Sequence, residues 1–122
     1  MWIFSRAGMF SVVSDGNGGM QIRARNPEHL RKLQRAVHEI AIESLWESVG
    51  GDYCCRLLVS RRQWLIVADF LANDATKYGN FKAELEKEHP DDRGLNVWAA
   101  ATWGRGLRYQ EEIRKNNPKL SQ

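Results

Sequence analysis

The chain has 122 residues, 43% hydrophobic and 27% charged, the proportions of one globular domain able to build a core without disulfide or metal staples. Apolar runs such as 64–68 end after five residues, far short of the roughly 20 that a membrane span needs. Ser5 and Arg6 interrupt the apolar start before a signal-peptide core of about 7–15 residues can form, so a cytoplasmic protein is expected.

The two cysteines, Cys54 and Cys55, are neighbours. Adjacent residues on a strand point to opposite faces, which makes a disulfide between them geometrically awkward. One small core residue and one on the other face, in a reducing compartment, is the expectation. No CxxC and no Cys/His spacing suggests zinc.

Residues 2–4 and 9–14 are strand-like and flank the turn Arg6-Ala7-Gly8. Asp15-Gly16-Asn17-Gly18-Gly19 then supplies the residues that tolerate positive φ in a hairpin. In the next strand Met20, Ile22 and Ala24 alternate with Gln21, Arg23 and Arg25, the pattern of a sheet with one buried and one wet face.

Asn26-Pro27 starts a helix, with Asn26 as N-cap and Pro27 where its missing N–H costs nothing. Leu30, Leu33, Val37, Ile40 and Ala41 recur at helical spacing, and Gly50-Gly51 closes the segment. A strand is predicted over 53–59. Ser60 and Gln63 form a capping box opening a second helix with a core stripe of Trp64, Val67, Ala68 and Leu71.

Between Thr76 and Phe81 two helices must be joined in few residues, so Gly79 is expected in a conformation other residues disfavour. Asn80 caps a helix over 81–88 and Pro90 punctuates it. A last helix passes through Leu95, Trp98, Ala99 and Trp103, with a break expected at Gly104 and Gly106. One domain over 1–113 and a polar tail over 114–122 is the resulting division.

With these elements placed, WIFSRAGMFSVV, QIRARNPEHLRKL, YCCRLLVSRRQW, TKYGNFKAEL and VWAAATW, in that order, resemble a family of small uncharacterised bacterial proteins. The resemblance implies a compact α+β domain and brings no activity, cofactor or catalytic residue with it. Relatives often carry a proline-containing dipeptide where Cys54-Cys55 stand, which implies that the cysteines are dispensable to the fold.

No catalytic constellation is readable. The DGNGG glycines precede a strand, whereas a phosphate cradle must open a helix. His29 and His38 are nine residues apart, half a turn round a helix, and with His89 they are expected on the surface. Asp91 or Asp92, after Pro90, looks like a helix cap; Glu84, Glu86 and Glu88 look like a solvated helix face.

The basic residues point furthest. Net charge is +3, ordinary for a soluble domain, but Arg23, Arg25 and Arg56 can form a row on the polar sheet face. Arg105 and Arg108 flank the predicted glycine break, and Tyr78 with Lys77 can rim a pocket near them. Five tryptophans are enough that any left exposed marks an interface, and Ala99-Ala100-Ala101 allows close helix approach.

The expectation is an α+β fold: a small antiparallel-rich sheet of three or four strands with helices packed on one face. Its expected role is non-catalytic protein binding or homodimerisation, with nucleic-acid binding on the basic sheet face as the alternative. An enzyme or anionic-ligand domain ranks below both, and no cofactor, metal or membrane is expected.

Overall fold

The computed structural model describes residues 1–47, 51–117 and 119. Strand β1, Trp2–Ser5, and β2, Gly8–Ser14, form a hairpin with Ser5 opposite Gly8, so Arg6 and Ala7 alone make the turn. β2 then pairs with β3, Met20–Ala24. In the loop between them the Asp15 carboxylate accepts the N–H groups of Asn17 and Gly19 at 2.7 and 3.0 Å. Gly16 and Gly18 take the positive φ that the hairpin needs.

Helix α1 is Pro27–Ala36, with the Asn26 side chain accepting from the Glu28 N–H. Helix α2 is Arg61–Ala75, with both halves of the Ser60/Gln63 capping box formed. Helix α3, Phe81–Glu88, is capped by Asn80. These starts fall where the sequence places them because each cap is a bond between near neighbours.

Two sequence expectations fail between 37 and 53. The first helix stops at Ala36, because Val37 is extended and the chain tightens into a short 3-10 turn over His38–Ile40. The Gln34 amide donates to the Ile40 and Glu43 carbonyls at 3.1 and 2.8 Å, satisfying groups a longer helix would have paired internally. The freed chain forms a short strand β4, Leu45–Glu47, on the edge of β5, Cys55–Val59. The sheet therefore has five strands rather than three or four, all antiparallel, in the order β1-β2-β3-β5-β4.

The helices do not all lie on one face. Phe10, Val12, Ile22, Ala24, Cys55, Leu57 and Val59 pack under α1 and α2, against Leu30, Leu33, Trp64 and Val67. Met9 alternates with Phe10 and so points the other way. It packs with Leu85 of α3 and with Leu95 and Ala99 of α4, Arg93–Asn116, while Phe4 meets Trp98 edge-on at 5.2 Å. The expected break at Gly104 and Gly106 is absent: α4 runs through both and through the 113/114 boundary of the predicted tail. A helical glycine costs about 1 kcal/mol relative to alanine, which weakens a helix without ending it.

Gly8 is the position where the fold demands glycine. Its φ is +142°, and a Cβ there would lie 2.3 Å from the His29 ring. Gly79 has no such need: it lacks positive φ, against the sequence expectation, and open space surrounds it. Gly8→Ala should lower stability by roughly 2–4 kcal/mol, while Gly79→Ala should change it by less than about 0.5 kcal/mol. Urea midpoints of the two variants check this, and equal shifts would contradict the packing of Gly8 on His29.

Candidate functional site

The second sheet face is covered by α3 and α4 only at its Phe4–Met9 end. Beyond it, the strand register builds one continuous row. Trp2 stands opposite Ser11, Ser11 opposite Arg23, Arg23 opposite Arg56, and Arg56 opposite Trp46. Directly opposed residues share a face, so two arginines sit side by side, bracketed by tryptophans. Trp2 and Trp46 are 76% and 60% exposed, and Leu58 one step along is also exposed.

The arginines are held in place by neutral partners. Arg23 donates to the Ser11 hydroxyl at 2.7 Å and stacks on Tyr53 at 4.6 Å. Arg25 covers the same Tyr53 ring at 4.3 Å and reaches Trp98 at 5.4 Å. Arg56 donates to the Gln21 side-chain oxygen at 3.1 Å. Among the described residues no carboxylate pairs with any of the three, and the buried Nε of Arg23 has no acceptor.

The structure thus brings Arg23, Arg25 and Arg56 together and leaves the other candidates elsewhere. Arg105 and Arg108 are exposed on α4. Tyr78 has Arg6 over its ring at 5.0 Å and Phe81 beside it, so its cation comes from the first hairpin. Arg6 is the residue the sequence reading missed. Its guanidinium binds Asp74 of α2 with two nitrogens and Glu84 of α3 at 3.2 Å. That bond holds the Asp74 carboxyl below its ordinary range, despite burial. Glu84 is accordingly tied, not free on a solvated face.

A second cluster corrects the expectation of surface histidines: His29 and His89 are 3% and 6% exposed, and only His38 is on the surface. Their rings meet edge-on at 5.4 Å. His29 Nδ1 accepts the Met9 N–H at 3.4 Å, so Nε2 carries the proton and donates to Asp92 at 3.2 Å. His89 Nε2–H donates to the Arg6 carbonyl at 2.6 Å. Asp92 caps α4 through the Leu95 N–H, as its place after Pro90 suggests, and also accepts from Asn26. A groove of about 420 Å³ open to solvent runs past Asn26, His29, Lys32, His89 and Asp92.

His29, His89 and Asp92 offer three metal-ligand atoms within 4.8 Å of one another. The tautomer argues against a metal there. A ligating His29 Nε2 must lose its proton to Nδ1, which would then face the Met9 N–H donor to donor. Cys54 and Cys55 are free thiols with sulfurs 3.4 Å apart, both near the Ala24 carbonyl. Cys54 packs against the same core as Cys55 rather than facing away. Burial pushes the Cys55 thiol up to about 12, which makes it a poor nucleophile.

No protein-family model, curated protein or solved structure matches the chain, so the geometry alone carries the functional reading.

The histidine cluster sets a pH dependence. Burial lowers the His29 pKa below its ordinary 6.5, opposed by the Asp92 hydrogen bond and reinforced by His89. The unfolded chain therefore takes up a proton that the folded chain refuses, and stability falls as pH drops below 6.5. Denaturant titrations between about pH 7.5 and 5.5 should show a slope of at most about 1.4 kcal/mol per pH unit, flattened in His29→Gln. A wild-type stability independent of pH over that window would contradict the buried neutral imidazole.

Proposed function

We propose that this protein is a non-catalytic binding module that docks an acidic protein segment on its open sheet face. The observation that supports this most is the directly opposed pair Arg23 and Arg56, with no carboxylate on either among the described residues, between exposed Trp2 and Trp46. Like charges directly opposite in a sheet cost up to about 1 kcal/mol. An acidic partner relieves that cost, and arginine and tryptophan are the side chains that dominate interface energetics. Tyr53 stacking on Arg23 and Arg25 reduces the entropy lost when they bind.

One observation favours single-stranded nucleic acid as the second reading: Trp46 beside Arg56 pairs a stacking plane with a cation, as base-stacking sheet platforms do. The chain's net charge of +3, with 15 acidic residues against 18 basic ones, favours protein over a polyanion.

Arg56→Glu separates binding from folding, because the introduced carboxylate would face Arg23 as an opposite charge. Its stability should hold or rise by up to about 1 kcal/mol. Affinity for a labelled alternating Glu-Leu peptide, measured by anisotropy, should fall by about tenfold or more, and Trp46→Ala should weaken it too. Binding of an oligothymidylate with steep salt dependence, and none of the peptide, would favour the nucleic-acid reading. Binding of neither would sink the assignment of this face.

A further inference from the structure

Cys54 and Cys55 share a face that strand alternation does not give to neighbours. Tyr53 lies over Arg23 and Arg25 on the open sheet face, and Arg56 stands opposite Arg23 on that same face. Cys54 precedes β5 by one residue, free of its register, and packs with Cys55 against the core. The order along the chain is therefore open, core, core, open. That skipped step brings the two sulfurs to 3.4 Å. Both thiols are free, and both lie against the Ala24 carbonyl, at 3.7 and 3.3 Å.

The two sulfurs are the whole donor set. Among the described residues the one cluster of three metal-ligating side chains is His29, His89 and Asp92, so Glu47, opposite Cys55 on β4, does not complete a site with the thiols. Zinc takes three or four protein ligands, more than this pair supplies. A linear two-thiolate ion at about 2.3 Å from each sulfur needs them about 4.6 Å apart, wider than the pair observed. A centre at that bond length that bridges sulfurs 3.4 Å apart sees them at about 95°, the angle of a pyramidal atom carrying a lone pair. Charge points the same way. Cys55 is fully buried and its thiol is pushed up to about 12 by that burial. A metal cation requires ionised thiols, whereas a trivalent centre bearing hydroxyls condenses with neutral ones and leaves a neutral product in the core.

We propose that Cys54 and Cys55 form a dithiol site for a trivalent arsenical. Cys54, half-buried where Cys55 is enclosed, reacts first: its S–H bond and one As–OH bond are exchanged for an S–As bond and a water. The Cys55 S–H then displaces a second hydroxyl in the same way and releases a second water. Arsenic stays trivalent, no electron moves, and both thiol protons leave in the waters. The second bond is intramolecular, which gives this pair its advantage over a monothiol. The site lies on the helix-covered face of the sheet, apart from the arginine row.

The probe is phenylarsine oxide, which is hydrated to the dihydroxide in water, and native mass spectrometry of the whole protein is the test. One phenylarsenic per chain is expected, with two thiol hydrogens lost, and it should survive excess 2-mercaptoethanol. Cys54→Ser and Cys55→Ala should each bind the probe at least about a hundredfold more weakly, with the near-ultraviolet circular dichroism of the wild type. Because the folded chain already holds the sulfurs together, the probe should raise the wild-type urea midpoint. Arg56→Glu should bind the probe like the wild type, so this proposal and the sheet-face reading fail independently. Equal binding by either cysteine variant, or a urea midpoint that falls with the probe, would overturn the inference. A midpoint raised by zinc chloride alone, and not in the two cysteine variants, would overturn it in favour of a metal cation.

Discussion

The two-residue turn Arg6-Ala7 with Gly8 ties the helices on both faces of the sheet to one point. Because Gly8 has no Cβ, the His29 ring of α1 can lie on its backbone. From there His29 bonds Met9 on one side and the α4 cap Asp92 on the other. The Arg6 carbonyl takes the His89 proton at the end of α3, and the Arg6 guanidinium binds Asp74 of α2 and Glu84 of α3. Hydrogen bonds to charged groups contribute about 1.5–3 kcal/mol when half-buried, more than surface ion pairs such as Arg31–Glu47 at 3.8 Å. The helix pair on one face, α1 with α2, and the pair on the other, α3 with α4, are thus registered across the sheet through three residues of one hairpin.

Much of the fold was legible because much of it is local. The DGNGG loop, the Asn26, Ser60, Asn80 and Asp92 caps and the Met20–Ala24 alternation each depend on residues within a few positions of each other. The failures are non-local. Val37 and Ile40 keep helical spacing yet leave the helix: Val37 is extended, and Leu45–Glu47 further on pairs with β5. The bonds Arg6–Asp74, His29–Asp92 and His89–Arg6 span 68, 63 and 83 residues, and no spacing rule reaches that far. Arg6 read as an interruption of an apolar start; its role exists only once α2 and α3 have docked.

The arginine row was legible in the sequence as a shared face, but not in its register. Alternation places Arg23 and Arg25 on the wet face, but only the β3–β5 register decides that Arg56 faces Arg23 directly. The energies explain why the sheet tolerates this. Repulsion of about 0.2–1 kcal/mol is set against stacking of Arg23 and Arg25 on Tyr53, about 0.5–1 kcal/mol for each exposed contact, and the bonds to Ser11 and Gln21. The cluster is stable without an anion and still carries uncancelled charge.

The open sheet face and the overhanging helix have one geometric origin. Asp92 caps α4 through the Leu95 N–H with one oxygen and bonds His29 with the other, which anchors that helix at the turn end of the first hairpin. From that anchor, 24 residues extend about 36 Å at 1.5 Å per residue. Five strands at about 4.8 Å spacing are only about 19 Å across. The longest strand, seven residues, is about 23 Å. A straight α4 therefore outruns the sheet in any direction. Its first turns cover Met9 and Phe4, Tyr53 lies against Arg23 in the middle of the row while Trp2 and Trp46 stay exposed at its ends, and the later turns of α4 have no sheet beneath them.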